Sequence, residues 1–232
     1  MFRKALLVCG VLSSLLYVAM NILVAMQWEA YSSASQTVSE LSAIGAPTRP
    51  QWVLLGFAYS LLITAFGWGV WASTRHNRPL RVAGTVMVTY GVVSLAWPFA
   101  PMHLRGAGFT LTDTLHIVLA MVTVLLMLLA MGFGAAAFGK RFRLYSIATI
   151  VILVVFGALT GVESPRIAAD LPTPWIGVWE RINIGAYLLW VAVLAVILLR
   201  TQELRDERFQ TSHVRHSGLP GMQPRRESRR SA

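Results

Sequence analysis

Six long apolar runs, with basic residues crowded into every second gap between them, constrain this chain more than any other feature of its sequence. Arg3 and Lys4 precede the first run. Arg75, Arg78 and Arg81 separate the second from the third, and Lys140, Arg141 and Arg143 separate the fourth from the fifth. Eight further arginines begin at Arg200, at the end of the sixth run. The alternate gaps hold only Arg49, Arg105, Arg166 and Arg181, so 16 of the 20 basic residues fall on one side. Cytoplasmic loops of membrane proteins carry an excess of Lys and Arg. The pattern therefore predicts an all-α polytopic membrane bundle of six transmembrane helices in the plasma (inner) membrane, with both termini cytoplasmic. Residues 1–200 read as the transmembrane domain and 201–232 as a basic cytoplasmic tail, disordered after about residue 216.

The run lengths agree with this division. Crossing a hydrocarbon core of about 30 Å takes roughly 20 helical residues. Counted from the basic end, each run finishes in polar or aromatic chemistry: Gln27-Trp28-Glu29, Trp52 to Leu55, Pro98 to Pro101, Glu163, and Glu180-Arg181. Trp28, Trp52, Trp97, Trp175 and Trp179 mark one boundary and Trp68 and Trp71 the other, as aromatic belts do. The fourth run is longer, because Asp113 and His116 lie more than 20 residues before Lys140. That predicts a tilted or projecting helix.

Composition excludes several classes. With 56% hydrophobic and 13% charged residues, the chain is far from the quarter charged that is usual for soluble domains. The net charge of +10 sits in short clusters beside apolar spans and in the tail, which points to the lipid bilayer and its anionic headgroups and not to nucleic acid. Cys9 is the single cysteine, so neither an internal disulfide nor a cysteine metal site is possible. The apolar stretch Ala5 to Met26 outlasts a signal-peptide core of roughly 7–15 residues and reads as a retained first span.

Thr37-Val38-Ser39-Glu40 has capping-box spacing and predicts a short helix between the first two spans, stopped by Gly45-Ala46-Pro47. Ser164-Pro165 and Thr173-Pro174 each set a capping residue before a proline suited to the first helical turn, which predicts a short helix in the last outer loop. Gly157-Ala158-Leu159-Thr160-Gly161 and the glycine-rich stretch Gly132 to Gly139 permit close helix packing. Glu203 to Arg208 can continue the sixth span, and Ser217 to Ala232 lacks apolar residues to bury.

Before the tail, Glu29, Glu40, Asp113, Glu163, Asp170 and Glu180 all fall on the outer side, with His103, His116, Arg105, Arg166 and Arg181. Asp113 and His116 stand three apart on one helix face, so the carboxylate can hold one imidazole nitrogen and free the other for a substrate, water or metal. The same pair also fits a capping aspartate and a hydrogen-bonded boundary histidine. Glu180-Arg181 fits an ion pair locking helix ends or a headgroup contact. Asn21 and Asn183 fit interhelical hydrogen bonds. No HExxH, GxSxG, P-loop, dinucleotide-binding or CxxC motif is present, and no cofactor is implied.

Tyr31-Ser32, Val38-Ser39-Glu40-Leu41-Ser42-Ala43 with Gly45 and Pro47, Trp97-Pro98-Phe99-Ala100-Pro101 leading to His116, and Gly177-Val178-Trp179-Glu180-Arg181-Ile182 together resemble a six-span family of bacterial and archaeal membrane proteins catalogued as Domain of Unknown Function 998. The resemblance covers nearly all of residues 5–200. It implies a helical bundle with an outer polar face built from Ser39, Glu40, His116 and Glu180, and it implies no activity.

Two readings follow. In one, Ser39, Glu40, His116, Glu180 and Arg181 line an outer pocket for a lipid headgroup or small polar ligand. In the other, His116 and His103 ligate a metal and Asp113, Glu40 or Glu180 serves as ligand or base, in a hydrolase or transferase acting on lipid-linked substrates. A transporter would want ionisable groups deeper in the bilayer. The sharpest expectation is that Glu40, His116 and Glu180 converge, because three ionisable groups at one depth are costly against lipid.

Overall fold

The computed structural model describes residues 2–73 and 77–217, with side chains as far as residue 204. The described residues form six α-helices: α1 (Phe2–Ala25), α2 (Arg49–Ala72), α3 (Arg78–Ser94), α4 (Leu111–Ala137), α5 (Lys140–Ala168) and α6 (Ile176–Ser217). All six are long and apolar enough to cross a membrane. The protein is a multi-pass integral membrane bundle. Apolar side chains such as Leu54, Leu61, Leu125 and Val154 remain exposed along the helices, as lipid-facing positions must.

Each helix packs on the next and α6 closes back onto α1. Of the six, α6 is the most buried and α5 the least. Trp190 and Tyr187 of α6 are fully enclosed. The Trp190 indole donates to Ser146 on α5 (2.9 Å), and the Tyr187 ring meets Tyr90 of α3 edge-on. Tyr90 and Tyr59 share a hydrogen bond of 3.0 Å, and Tyr59 meets Tyr17 of α1. Tyrosines from four helices thus meet at the centre, where the rings supply apolar area and the Tyr59 and Tyr90 hydroxyls satisfy each other.

Glycine sets the closest helix approaches. A Cβ on Gly84 of α3 would lie 2.6 Å from the Trp71 amide nitrogen of α2, and one on Gly67 of α2 would lie 2.6 Å from that of Val88. These two helices therefore touch backbone to backbone. In the two stretches singled out from sequence, Gly134 receives the Trp190 ring and Gly157 receives Asn183, whose amide donates to the Leu153 carbonyl (2.5 Å). Gly132, Gly139 and Gly161 face open space. The GxxxG is thus half used, and for packing inside the bundle.

The short helix expected at the capping box is present as a 3-10 helix, Val38–Ser42, with Glu40 inside it. One expectation needs correction. No separate helix forms in the last loop among the described residues: α5 runs through Ser164-Pro165 to Ala168. Pro165 removes one hydrogen bond, to the Gly161 carbonyl, within a turn of the helix end, and the buried side chain of Ile167 holds that turn in place. At the other end α6 continues to Ser217, so the expected helical extension of the sixth span is present, while the stretch expected to be disordered, Ser217 to Ala232, lies outside the described residues apart from Ser217.

Gly84→Ala should lower thermal stability in detergent by about 1–3 kcal/mol, because a methyl there must displace backbone. Gly132→Ala, placed in open space, should not. Paired melting curves check the contrast.

Candidate functional site

The polar groups at the end of the bundle opposite the start of α1 come from the segment after α1, the loop between α3 and α4, and the start of α6. Leaving α1, the chain crosses over the bundle in an irregular stretch whose carbonyls find no helical partners. Arg181, in the first turns of α6, meets them. Its guanidinium donates to the carbonyls of Ser33 (2.7 Å), Gln36 (3.1 Å) and Gly177 (3.0 Å), to Asn21 Oδ1 on α1 (3.0 Å) and to the Tyr31 hydroxyl (2.6 Å). Burial pushes the Tyr31 phenol up to about 12, so it remains neutral and donates to the Thr37 carbonyl (2.8 Å). Gly177 must be glycine here, because a Cβ would fall 2.2 Å from the Gln36 carbonyl oxygen.

Glu40 is fully buried. It accepts from the Thr37 amide (2.7 Å) and hydroxyl (3.0 Å), as the capping spacing predicts, and from Gln36 Nε2 (3.3 Å). Its counter-charge is Arg105, whose Nε and Nη2 reach the two carboxylate oxygens at 2.7 and 3.1 Å. The same guanidinium donates to the Ser35 carbonyl (2.6 Å) and the Thr173 hydroxyl (2.8 Å). Thr173 in turn donates to Ser35 (2.9 Å), so it is a strut between loops and not a helix cap. Fork-on-carboxylate geometry of this kind is the strong form of an ion pair.

Glu180 takes a different position. Its carboxylate accepts the Val38 amide at the start of the 3-10 helix, and Ser39 Oγ stands 3.4 Å from its other oxygen. Both donors are neutral. Glu40 and Glu180 therefore grip the same short helix from two sides. The expected Glu180–Arg181 ion pair does not form among the described residues, because Arg181 is committed to carbonyls.

His116 and Asp113 belong to an adjoining cluster. Asp113 caps α4 by accepting the Thr110 amide (2.9 Å) and hydroxyl (2.8 Å), and it holds His103 through the backbone amide (2.8 Å) and Nδ1 (2.9 Å). Of the two readings of Asp113 and His116, the capping aspartate with a hydrogen-bonded boundary histidine is the one that forms, and the second partner of Asp113 is His103. An aspartate at the third residue of a helix turns back toward the cap, whereas His116 lies one turn deeper. His116 Nδ1 donates to the Ala100 carbonyl (2.8 Å) and its ring packs edge-on against Trp97. The two clusters are joined by the Ile44–His103 bridge, in which the Ile44 amide donates to Met102 (2.8 Å). Glu40 and Glu180 come together; His116 sits with a different set of partners.

Among the described residues no three His, Cys, Asp or Glu side chains are grouped to hold a metal. Sequence reading named Arg105, Tyr31 and Thr173 without the partners through which they organise the site. Their partners lie 65, 6 and 138 residues away, and only the Tyr31 contact is local.

Arg105→Met should cost about 3–5 kcal/mol of stability, the usual effect of leaving a buried carboxylate without its partner. Joint replacement with Glu40→Leu should recover much of that loss. A double-mutant cycle of unfolding free energies tests the coupling.

A family model described as "Protein of unknown function (DUF998)" matches residues 11–197, which takes in most of the bundle, and the chain belongs to that family. No curated protein and no solved structure matches it.

Proposed function

We propose that this member of the family is a multi-pass membrane protein that holds a polar ligand at its acidic end, with the Glu180 carboxylate and the Ser39 hydroxyl as the contacts. The supporting observation is the contrast between two neighbouring carboxylates. Glu40 is saturated by a guanidinium and three further donors, whereas Glu180 receives one amide and one long hydroxyl contact. Glu163 Oε2, at the same end, is buried with no hydrogen-bond partner. Two carboxylates at that end are thus short of donors, so the fitting ligand carries donors: an ammonium or hydroxyl-rich group, on a lipid headgroup or a small polar molecule. In this reading Glu40 and Arg181 hold the loop, and His116 fixes the turn at Trp97 to Ala100.

The discriminating probes are phosphatidylethanolamine, whose ammonium donates, phosphatidylcholine, whose quaternary nitrogen does not, and soluble ethanolamine. Phosphatidylethanolamine should raise the melting temperature and phosphatidylcholine should not; an equal response to soluble ethanolamine would identify a free amine as the ligand. Glu180→Gln keeps an acceptor for the Val38 amide but loses the charge, so it should abolish the response while leaving melting without ligand nearly intact. A Glu180→Gln protein that melts far lower, with no response in the parent to any probe, reduces Glu180 to a clasp.

We also propose that this end faces outward across a plasma membrane, on the strength of the basic residues gathered at the other end. Reporter fusions after Gln36, Ala107 and Ala169 should read outside, and fusions after Arg141 and Gln210 inside. An outside signal at Gln210 overturns the orientation.

A further inference from the structure

The basic end of the bundle holds a cleft of about 1270 Å³. This exceeds the roughly 300–1,000 Å³ of ordinary small-molecule pockets. It opens where the starts of α1 and α3 meet the ends of α2 and α4 and the stretch of α6 from Leu198 to Gln202. Two arginines from different helices, Arg3 and Arg78, line it, and none of its described lining residues is acidic. Its floor is a mixed surface: Leu80 and Phe138 supply apolar area, and the nine-tenths buried Gln202 supplies an amide. The walls are fixed. Gln202 Nε2 donates to Ser73 on the far side (3.3 Å), and Asn77 ties the start of α3 to the end of α4 by donating to the Ala137 carbonyl (2.9 Å). Another cation of this region is already engaged, since Arg81 lies over the Trp71 ring at 5.3 Å.

We propose that this cleft is a binding site for the phosphate headgroup of an anionic phospholipid, with Arg3 and Arg78 on the phosphate and the Leu80–Phe138 surface under the glycerol and first methylenes. Charge complementarity sets the sign of the ligand. The apolar floor and the position at a membrane boundary select a lipid over a free anion, because a basic pocket between spans meets headgroups at very high local concentration. The site is distinct from the acidic end.

The test uses the full chain purified in neutral detergent, with phosphatidylglycerol and phosphatidylcholine in competition and retained lipid counted by native mass spectrometry. Phosphatidylglycerol should be retained preferentially. Arg3→Gln and Arg78→Gln should each weaken retention roughly fivefold, the scale of one basic contact near a membrane surface. Both arginines are exposed, so folding should survive. Ala136→Trp, also exposed and lining the cleft, fills the space without changing charge and should weaken retention as well. Arg141→Gln, outside the cleft, should leave it unchanged. Equal weakening by Arg141→Gln would show diffuse surface charge, and an inert Ala136→Trp would place the lipid elsewhere. Displacement of the lipid by inorganic phosphate at comparable concentration would mark a free-anion site. Any of these three overturns the proposal.

Discussion

The structure depends on pairing the backbone of residues 33–37, which crosses one end of the bundle outside any helix. In or near hydrocarbon, an unpaired carbonyl costs several kcal/mol and water is scarce. Two guanidinium groups resolve this. Arg181 takes Ser33 and Gln36, and Arg105 takes Ser35. Ala34 is left to the amides of Gly177 and Val178 at the start of α6. Each arginine then brings a second element with it: Asn21 of α1 in one case, and Glu40 with Thr173 in the other. The crossover is thereby turned into the hub through which α1, α6 and both neighbouring loops are held.

The charge asymmetry of the sequence has different structural meanings at the two ends. At the acidic end, Glu40, Arg105, Asp113 and Arg181 are drawn inward and bonded to one another, to neighbouring side chains or to backbone. At the basic end, Arg3 and Arg78 stand at the edge of an open cleft. A saturated network resists change, since removing one member strands the others. Exposed cations around a cavity are available to an outside partner.

What could be read in advance was what local physics determines. Span lengths and the side of each gap follow from hydrophobic runs and charge, and α1 to α6 match them. Glu40 is legible because its capping partners, Thr37 and its amide, are three residues away. Its ion-pair partner Arg105 is not, because the loop that carries it is irregular and has no periodicity to register it. Asp113 is half legible for the same reason: the capping role, one of its two readings from sequence, turns the carboxylate toward Thr110, while its contact with His103 of the irregular loop has no local signal. Gly67 and Gly84 were invisible as a pair, since neither belongs to a spaced motif within one helix and their meaning arises only when α2 and α3 lie side by side.

The two carboxylates on the 3-10 helix show how burial and partner count separate roles that sequence treats alike. Both are glutamates at a membrane boundary, and both hold the same five residues. Glu40 reaches its site from within that helix and is sealed by Arg105, so a ligand would have to break a forked ion pair to reach it. Glu180 reaches across from α6 and stays half-buried, with a weak hydroxyl contact on one oxygen. Exchanging a 3.4 Å contact for a ligand donor at normal distance gains strength without dismantling anything. The capacity to bind at this end therefore rests on the carboxylate that the fold leaves incompletely paired, and Glu40, however central to the architecture, is the one that keeps that carboxylate's helix in place.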